Sequence, residues 1–94
     1  MEVKQIDNEK KGAFYIEMDT VKVAEMTYSH AKPNKIIIDH TEVSDTLKGQ
    51  GVGYKLVAAA VDYVRTNNLK VIPLCPFAAA VFKKKHDEYV DVLA

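Results

Sequence analysis

The stretch Leu47-Lys48-Gly49-Gln50-Gly51-Val52-Gly53 decides how the rest of the chain is read. Its three glycines alternate where the hydrophobic pattern changes period, with short β-type runs before it and a long helical run after it. The backbone is therefore bare of side chains just ahead of a helix N-terminus. Free N–H groups there, with the helix dipole behind them, bind anions, and missing Cβ atoms let a phosphate come close. One reading is a loop that holds a phosphate-bearing cofactor. The other is a glycine-rich turn that only lets the chain reverse into a helix. The local pattern leaves both open.

Downstream, Val52, Leu56, Val57, Ala60, Val61 and Val64 form an apolar stripe at helical spacing, with Lys55, Asp62 and Arg65 off its centre. The spacing predicts a helix from Gly51 or Val52 to about Asn67, ended by Asn67-Asn68. Leu69 to Leu74 reads as a strand. Pro76 fits the first position of a final short helix, which makes Cys75 its N-cap. Phe77, Ala80, Val81 and Phe82 are expected to supply that helix's apolar face, and Lys83-Lys84-Lys85-His86 its positive end. Asp87 to Ala94 either adds a turn of helix or frays.

Upstream, four β-type segments are expected at 2–7, 13–19, 21–29 and 35–43. The clearest alternation sets Phe14, Ile16 and Met18 against Ala13, Tyr15 and Glu17. Gly12 closes a turn-rich cluster and offers positive φ, while Ala31-Lys32-Pro33-Asn34 is a second turn. Ile36-Ile37-Ile38 marks the fourth segment as a central strand, buried on both faces near its start. Short connections make these four strands an antiparallel meander. The intervening helix allows the fifth strand to lie parallel to the fourth by a right-handed crossover. The predicted class is thus α/β: a mixed sheet, antiparallel in strands 1–4, strand 5 parallel to strand 4, with helices packed on it.

Bulk properties narrow the function classes. Ninety-four residues, 48% hydrophobic and 28% charged, suit a single minimal domain over 1–94. Thirteen basic residues balance thirteen acidic ones, so no general pull toward nucleic acid or anionic membrane is expected. No apolar run approaches the roughly 20 residues of a membrane span. The N-terminus lacks an apolar signal core, and the lone Cys75 has no partner for a disulfide. A cytoplasmic protein is expected, acting as a monomer or homodimer. His30 and His86 carry no spacing that suggests a metal site, so no metal is expected.

Spacing rejects two phosphate loops. A dinucleotide fingerprint needs G-x-G-x-x-G after the first strand of a βαβ unit, and here the third glycine comes one residue early, behind a meander. A P-loop needs G-x-x-x-x-G-K-[ST], which is absent. What remains is strand, Lys48-x-x-Gly51-x-Gly53, helix, strand. This arrangement resembles the acetyl-coenzyme A signature of the GNAT superfamily of N-acetyltransferases, [Q/R]-x-x-G-x-[G/A], and Ile36 to Pro76 resembles that family's central core. His40, Val43, Leu47 to Gly51 and Leu74-Cys75-Pro76 resemble a small single-domain branch of it. Lys48 departs from the usual Arg or Gln, a small loss if backbone N–H groups hold the pyrophosphate. The two helices after the first strand and the last strand pair of larger members are missing, and those elements usually wall the acceptor site.

The resemblance implies acetyl-CoA as cosubstrate and an amine as acceptor. The pyrophosphate would lie on the N–H groups of Lys48, Gly49, Gln50, Gly51, Val52, Gly53 and Tyr54. The pantetheine arm would run near Val43, whose N–H can polarise the thioester carbonyl. His40 is the candidate base, weighed against a hydrogen-bonded histidine at a strand end; side-chain alternation sets His40 and Glu42 on one face, Asp39 and Thr41 on the other. Cys75, at a helix N-terminus beside the expected thioester, is a candidate acetyl-carrying nucleophile activated by His40, weighed against a buried apolar cysteine. The tyrosine that protonates the leaving thiolate in many members has no counterpart, because Phe77 and Phe82 occupy the helix and Tyr89 comes late. Tyr54 and Tyr63 read as packing residues. A non-catalytic acyl-CoA-binding or sensing domain is the alternative function, and an interaction module using its sheet edge a third.

Overall fold

A computed structural model describes all residues 1–94. One sheet runs in sequence order through β1 (Lys4–Asp7), β2 (Lys11–Met18), β3 (Val21–Ala31), β4 (Lys35–Val43) and β5 (Lys70–Pro73). Neighbours are antiparallel up to β4, and β5 lies parallel to β4. The crossover is α1 (Val52–Thr66), whose whole predicted stripe is buried. A right-handed helix can bridge parallel strands only by packing back on the sheet, which is where the core forms. The molecule is thin, 37 × 30 × 20 Å, with the far face of the sheet largely open.

The openness corrects one expectation for β4. Ile36 and Ile38 are fully buried toward the helices, whereas Ile37 on the other face is only half-buried. The first turn also forms differently. Asp7 and Asn8 accept the N–H groups of Glu9, Lys10 and Lys11, and Glu9 takes the left-handed conformation. Side chains thus close the turn, and Gly12 falls inside β2, where a Cβ would sit 2.4 Å from the Tyr28 ring.

The C-terminal segment docks. Following α2 (Pro76–Lys84), α3 (His86–Tyr89) and a 3₁₀ turn at Val90–Val92 return to the sheet. Tyr89 packs on Phe82, Arg65 grips Asp91 with two hydrogen bonds, and Ala94 N–H donates to Val71 C=O. Ala78, Val81 and Phe82 form the buried side of α2, while Phe77 and Ala80 are exposed. The helix is therefore rotated from its expected face.

At the opposite edge a polar network fastens β1. Asp7 Oδ2 accepts from Tyr28 Oη at 2.6 Å and pairs with His30 Nε2 at 2.8 Å; the Tyr63 hydroxyl of α1 reaches it at 3.4 Å. Partial burial pushes the Asp7 carboxyl pKa up. The hydrogen bonds from Tyr28, His30 and the Glu9 N–H outweigh that and bring it down to about 2.

A bulge in β4 decides what the site contains. Thr27 opposes His40 and Tyr28 opposes Ile38, so Asp39 is an extra residue with no partner of its own. An inserted residue breaks strict alternation and re-aims everything beyond it. Asp39 shares the open face with Ser29, which donates to it at 2.9 Å, and His40 follows it onto that face. Asp39 and Thr41 therefore do not share a face as simple alternation predicts. Thr41 and Val43 take up the helix-facing side that Ile36 and Ile38 begin.

Candidate functional site

The last β4–β5 pair is Ile38 with Pro73. Leu74 and Cys75 both donate their N–H to Ile38 C=O, at 3.2 and 3.0 Å, and the chain then turns into α2 at Pro76. β4 continues to Val43 with a partner on one side only. Ser44 N–H donates to Val23 C=O at 2.8 Å, which fixes the hydrogen-bonding phase. Antiparallel residues alternate between bonding their neighbour and facing away, so the N–H and C=O of Thr41 and Val43 point into the gap β5 has left.

Opposite that edge stands the glycine loop. A 3₁₀ turn at Asp45–Leu47 leads in, with Lys48 N–H bonded to Asp45 C=O and Gln50 N–H to Leu47 C=O, both at 3.3 Å. Gly49 and Gly51 have φ of 82° and 72°, a conformation in which a Cβ is strained. Gly53 has a different reason to be glycine: it is helical, and a Cβ would meet the Phe77 ring at 2.3 Å. Lys55 N–H is the first to bond back, to Gly51 C=O. The N–H groups of Gly49, Gly51, Val52, Gly53 and Tyr54 have no acceptor within the chain.

The free strand edge and these free donors share one cavity of about 560 Å³, lined by Thr41, Val43, Leu47, Lys48, Gly49, Gly51, Val52, Gly53, Tyr54 and Phe77. Every predicted cofactor-loop residue but one is in the lining. Gln50 turns outward and donates its side-chain amide to Thr46 C=O at 3.4 Å. A second depression, of about 500 Å³, shares Thr41, Val43 and Lys48 and continues past Ser44 to Glu25 and Glu42.

Cys75 and His40 do not meet. His40 Nε2 lies 2.9 Å from Glu42 Oε1 on the open face, with its side chain 62% exposed. Cys75 is buried, and its Sγ hydrogen-bonds Thr41 Oγ1 at 3.4 Å. Burial pushes its thiol pKa up, but the Thr41 hydroxyl and the N–H groups of Ala78, Phe77 and Thr41 pull it further down, so the net is below the ordinary value. The helix N–H groups do this without forming a closed cap. The expected activation of Cys75 by His40 is replaced by contact with Thr41, which itself lines the cavity. Thr41, Leu47 and Phe77 are the lining residues that sequence reasoning did not assign to the cofactor, and no signal in the polar run Asp39 to Glu42 betrays the bulge that selects Thr41.

Comparison with known proteins gives a consistent result. A family profile described as GCN5-related N-acetyl-transferase matches residues 13–92. A GCN5-like protein from Staphylococcus aureus, solved in solution by NMR, is 47% identical over 99% of this chain and 87% of its own, with a TM-score of 0.77. A ribosomal-protein-alanine N-acetyltransferase from Brucella melitensis shares the fold at 14% identity, over 83% of this chain and 62% of that one, TM-score 0.70. So does a predicted acetyltransferase from Clostridium acetobutylicum solved with acetyl-CoA, at 16% identity over 79% and 55%, TM-score 0.65. No curated protein matches the sequence.

Proposed function

The chain belongs to the GCN5-related N-acetyltransferase family, and on that premise we propose how its site moves an acetyl group from acetyl-CoA to an amine. One observation carries the assignment: unpartnered N–H groups of Gly49, Gly51, Val52, Gly53 and Tyr54 face the same cavity as the free edge of β4. Pyrophosphate on those donors makes charge-assisted hydrogen bonds at a helix N-terminus, with the Lys48 ammonium nearby. The amides of the pantetheine arm pair with the main chain of Val43 and the C=O of Thr41, whose N–H is directed at Cys75 Sγ, as an added strand would. Val43 N–H then donates to the thioester carbonyl oxygen, where negative charge develops during attack.

For an acceptor that reaches the gap from the open face of the sheet, where His40 and Glu42 lie 2.9 Å apart, the nitrogen attacks the carbonyl carbon and passes a proton to His40. As the C–S bond breaks, the sulfur leaves as a thiolate that needs a proton. Cys75 serves this side of the reaction. In a second route, consistent with the lowered thiol pKa, Cys75 Sγ attacks the thioester and its proton passes to the departing CoA sulfur; the amine then displaces the acetyl group from Sγ, and the proton it loses restores the thiol. In either route Cys75→Ser abolishes transfer with folding unchanged, and full activity in that variant would remove Cys75 from the mechanism. Mass spectrometry of the quenched protein separates the routes, because only the second adds an acetyl group to Cys75.

A free thiol beside the reacting centre suits the cytoplasm. We take residues 1–94 as one catalytic domain, acting as a monomer or as a homodimer whose second copy adds acceptor contacts. Titration with acetyl-CoA tests the cofactor site: backbone amide shifts at Gly49, Gly51, Gly53 and Val43 are expected, and none at millimolar ligand would overturn it.

A further inference from the structure

The cationic end of α2 lies against the cofactor cavity. Tyr54, in the first turn of α1, lines that cavity, and its ring carries the ammonium groups of Lys84 and Lys85 at 5.7 and 5.5 Å from its centroid. Lys84 Nζ also donates to Tyr54 Oη at 3.4 Å. Three other lysines of this electrically balanced chain hold carboxylates close, Lys4 with Glu17, Lys22 with Glu25 and Lys48 with Asp45, and what sets Lys84 and Lys85 apart is that both lie over the same ring. Lys84 makes no ion pair, and Lys85 has only Glu88, at 3.9 Å. Two like charges are thus gathered over one phenol ring with one loose carboxylate partner between them. The ring attracts each of them, yet that attraction is weaker than a close carboxylate or phosphate contact.

We propose that Tyr54, Lys84 and Lys85 form a second phosphate site, which takes the 3′-phosphate of coenzyme A while the glycine loop takes its pyrophosphate. The proposal rests on the assignment of the cavity to acetyl-CoA. A phosphate monoester carries close to two negative charges at neutral pH, which matches two ammonium donors better than it matches one. The Tyr54 hydroxyl, which Lys84 Nζ reaches at 3.4 Å, supplies a further hydrogen bond. α1 then holds one phosphate through the backbone of its first turn, and α2 holds the other through side chains of its last. Because Lys84 is exposed and Lys85 partly so, the contribution falls as salt rises.

Calorimetric titration with coenzyme A and with 3′-dephospho-coenzyme A reads this directly. The unmodified protein is expected to bind coenzyme A about tenfold more tightly, the scale of one charge-assisted contact. Lys84→Ala/Lys85→Ala is expected to bind both ligands as the unmodified protein binds the dephospho form. Lys84 is exposed and Lys85 half-buried at a helix end, outside the core, so the variant's amide spectrum is expected to stay dispersed, and Lys84→Gln alone gives a milder check. Equal binding of the two ligands by the unmodified protein, or a preference that survives in the double variant, overturns the second site and leaves the glycine loop standing. Absence of binding by either ligand overturns the cofactor assignment and this site together.

Discussion

The two halves of β4 have the same backbone conformation and opposite duties. Lys35 to Ile38 is paired on both sides, and Ile36 and Ile38 are fully buried. His40 to Val43, beyond the unpaired Asp39, is paired on one side, and its inward residues meet a cavity instead of a helix. The first half is held by what the protein already contains. The second half leaves main-chain groups unused, and these are the groups to which the proposed cofactor site assigns the pantetheine arm. A sheet that had kept β5 in register would be more completely bonded and would have no place for the pantetheine arm.

Truncation in the first half should have the largest effect. Ile38→Ala removes a fully buried side chain between β4 and α1 and should cost about 2–5 kcal/mol, measured as a lower denaturant midpoint at constant m. The matching cut in the second half, Val43→Ala, should cost under about 1 kcal/mol, because its side chain already borders open space. If the two substitutions destabilise equally, the contrast between the halves fails.

Thr41→Val keeps the branched shape and removes the hydroxyl that touches Cys75. We expect kcat to fall on the order of 10²-fold with the Kd for acetyl-CoA unchanged, and Thr41→Ser to restore much of it. Loss of binding in Thr41→Val would show that the residue only shapes the cavity.

Acid should act on the far edge of the sheet and spare β4. The folded Asp7 pKa of about 2 is below its unfolded value, so its contribution is complete above about pH 4 and is lost as pH falls toward 2. After solvent screening it should amount to about 1–2 kcal/mol. Asp7→Asn should be less stable at pH 7 and should converge with the parent near pH 2. A constant difference across that range would remove Asp7 as the source. The smallest effect is local: Val43 N–H should exchange with deuterium faster than its neighbours Glu42 and Ser44, and slow when acetyl-CoA binds. Equal protection in the free protein would mean that the edge is not open.

Much of this arrangement is legible in the residues themselves. The extent of β4, the stripe of α1, Pro76 after Cys75 and the alternate glycines all carry local signals, and local signals agree with the fold where the core decides the outcome. Gly53 shows a limit: its spacing announces a phosphate loop, yet its own need for a missing Cβ comes from Phe77, many residues away. The network of Asp7, Tyr28, His30 and Tyr63 is another, since it joins β1, β3 and α1 through side chains with no common periodicity. The bulge at Asp39 is a third. With no glycine or proline to mark it, alternation puts His40 and Thr41 on faces they do not occupy relative to Ile38.

That bulge also constrains how such a gene can drift. Side chains beyond an extra residue depend on whether the number of residues before them is odd or even. Exchanging one amino acid for another between Asp39 and Val43 changes a group and keeps every neighbour facing as before. Losing or gaining a single codon there would turn Thr41 and Val43 to the open face and send His40 and Glu42 toward the core. Descent through this segment should therefore proceed by replacement alone, with length changes confined to the hairpin turns, where parity has no meaning.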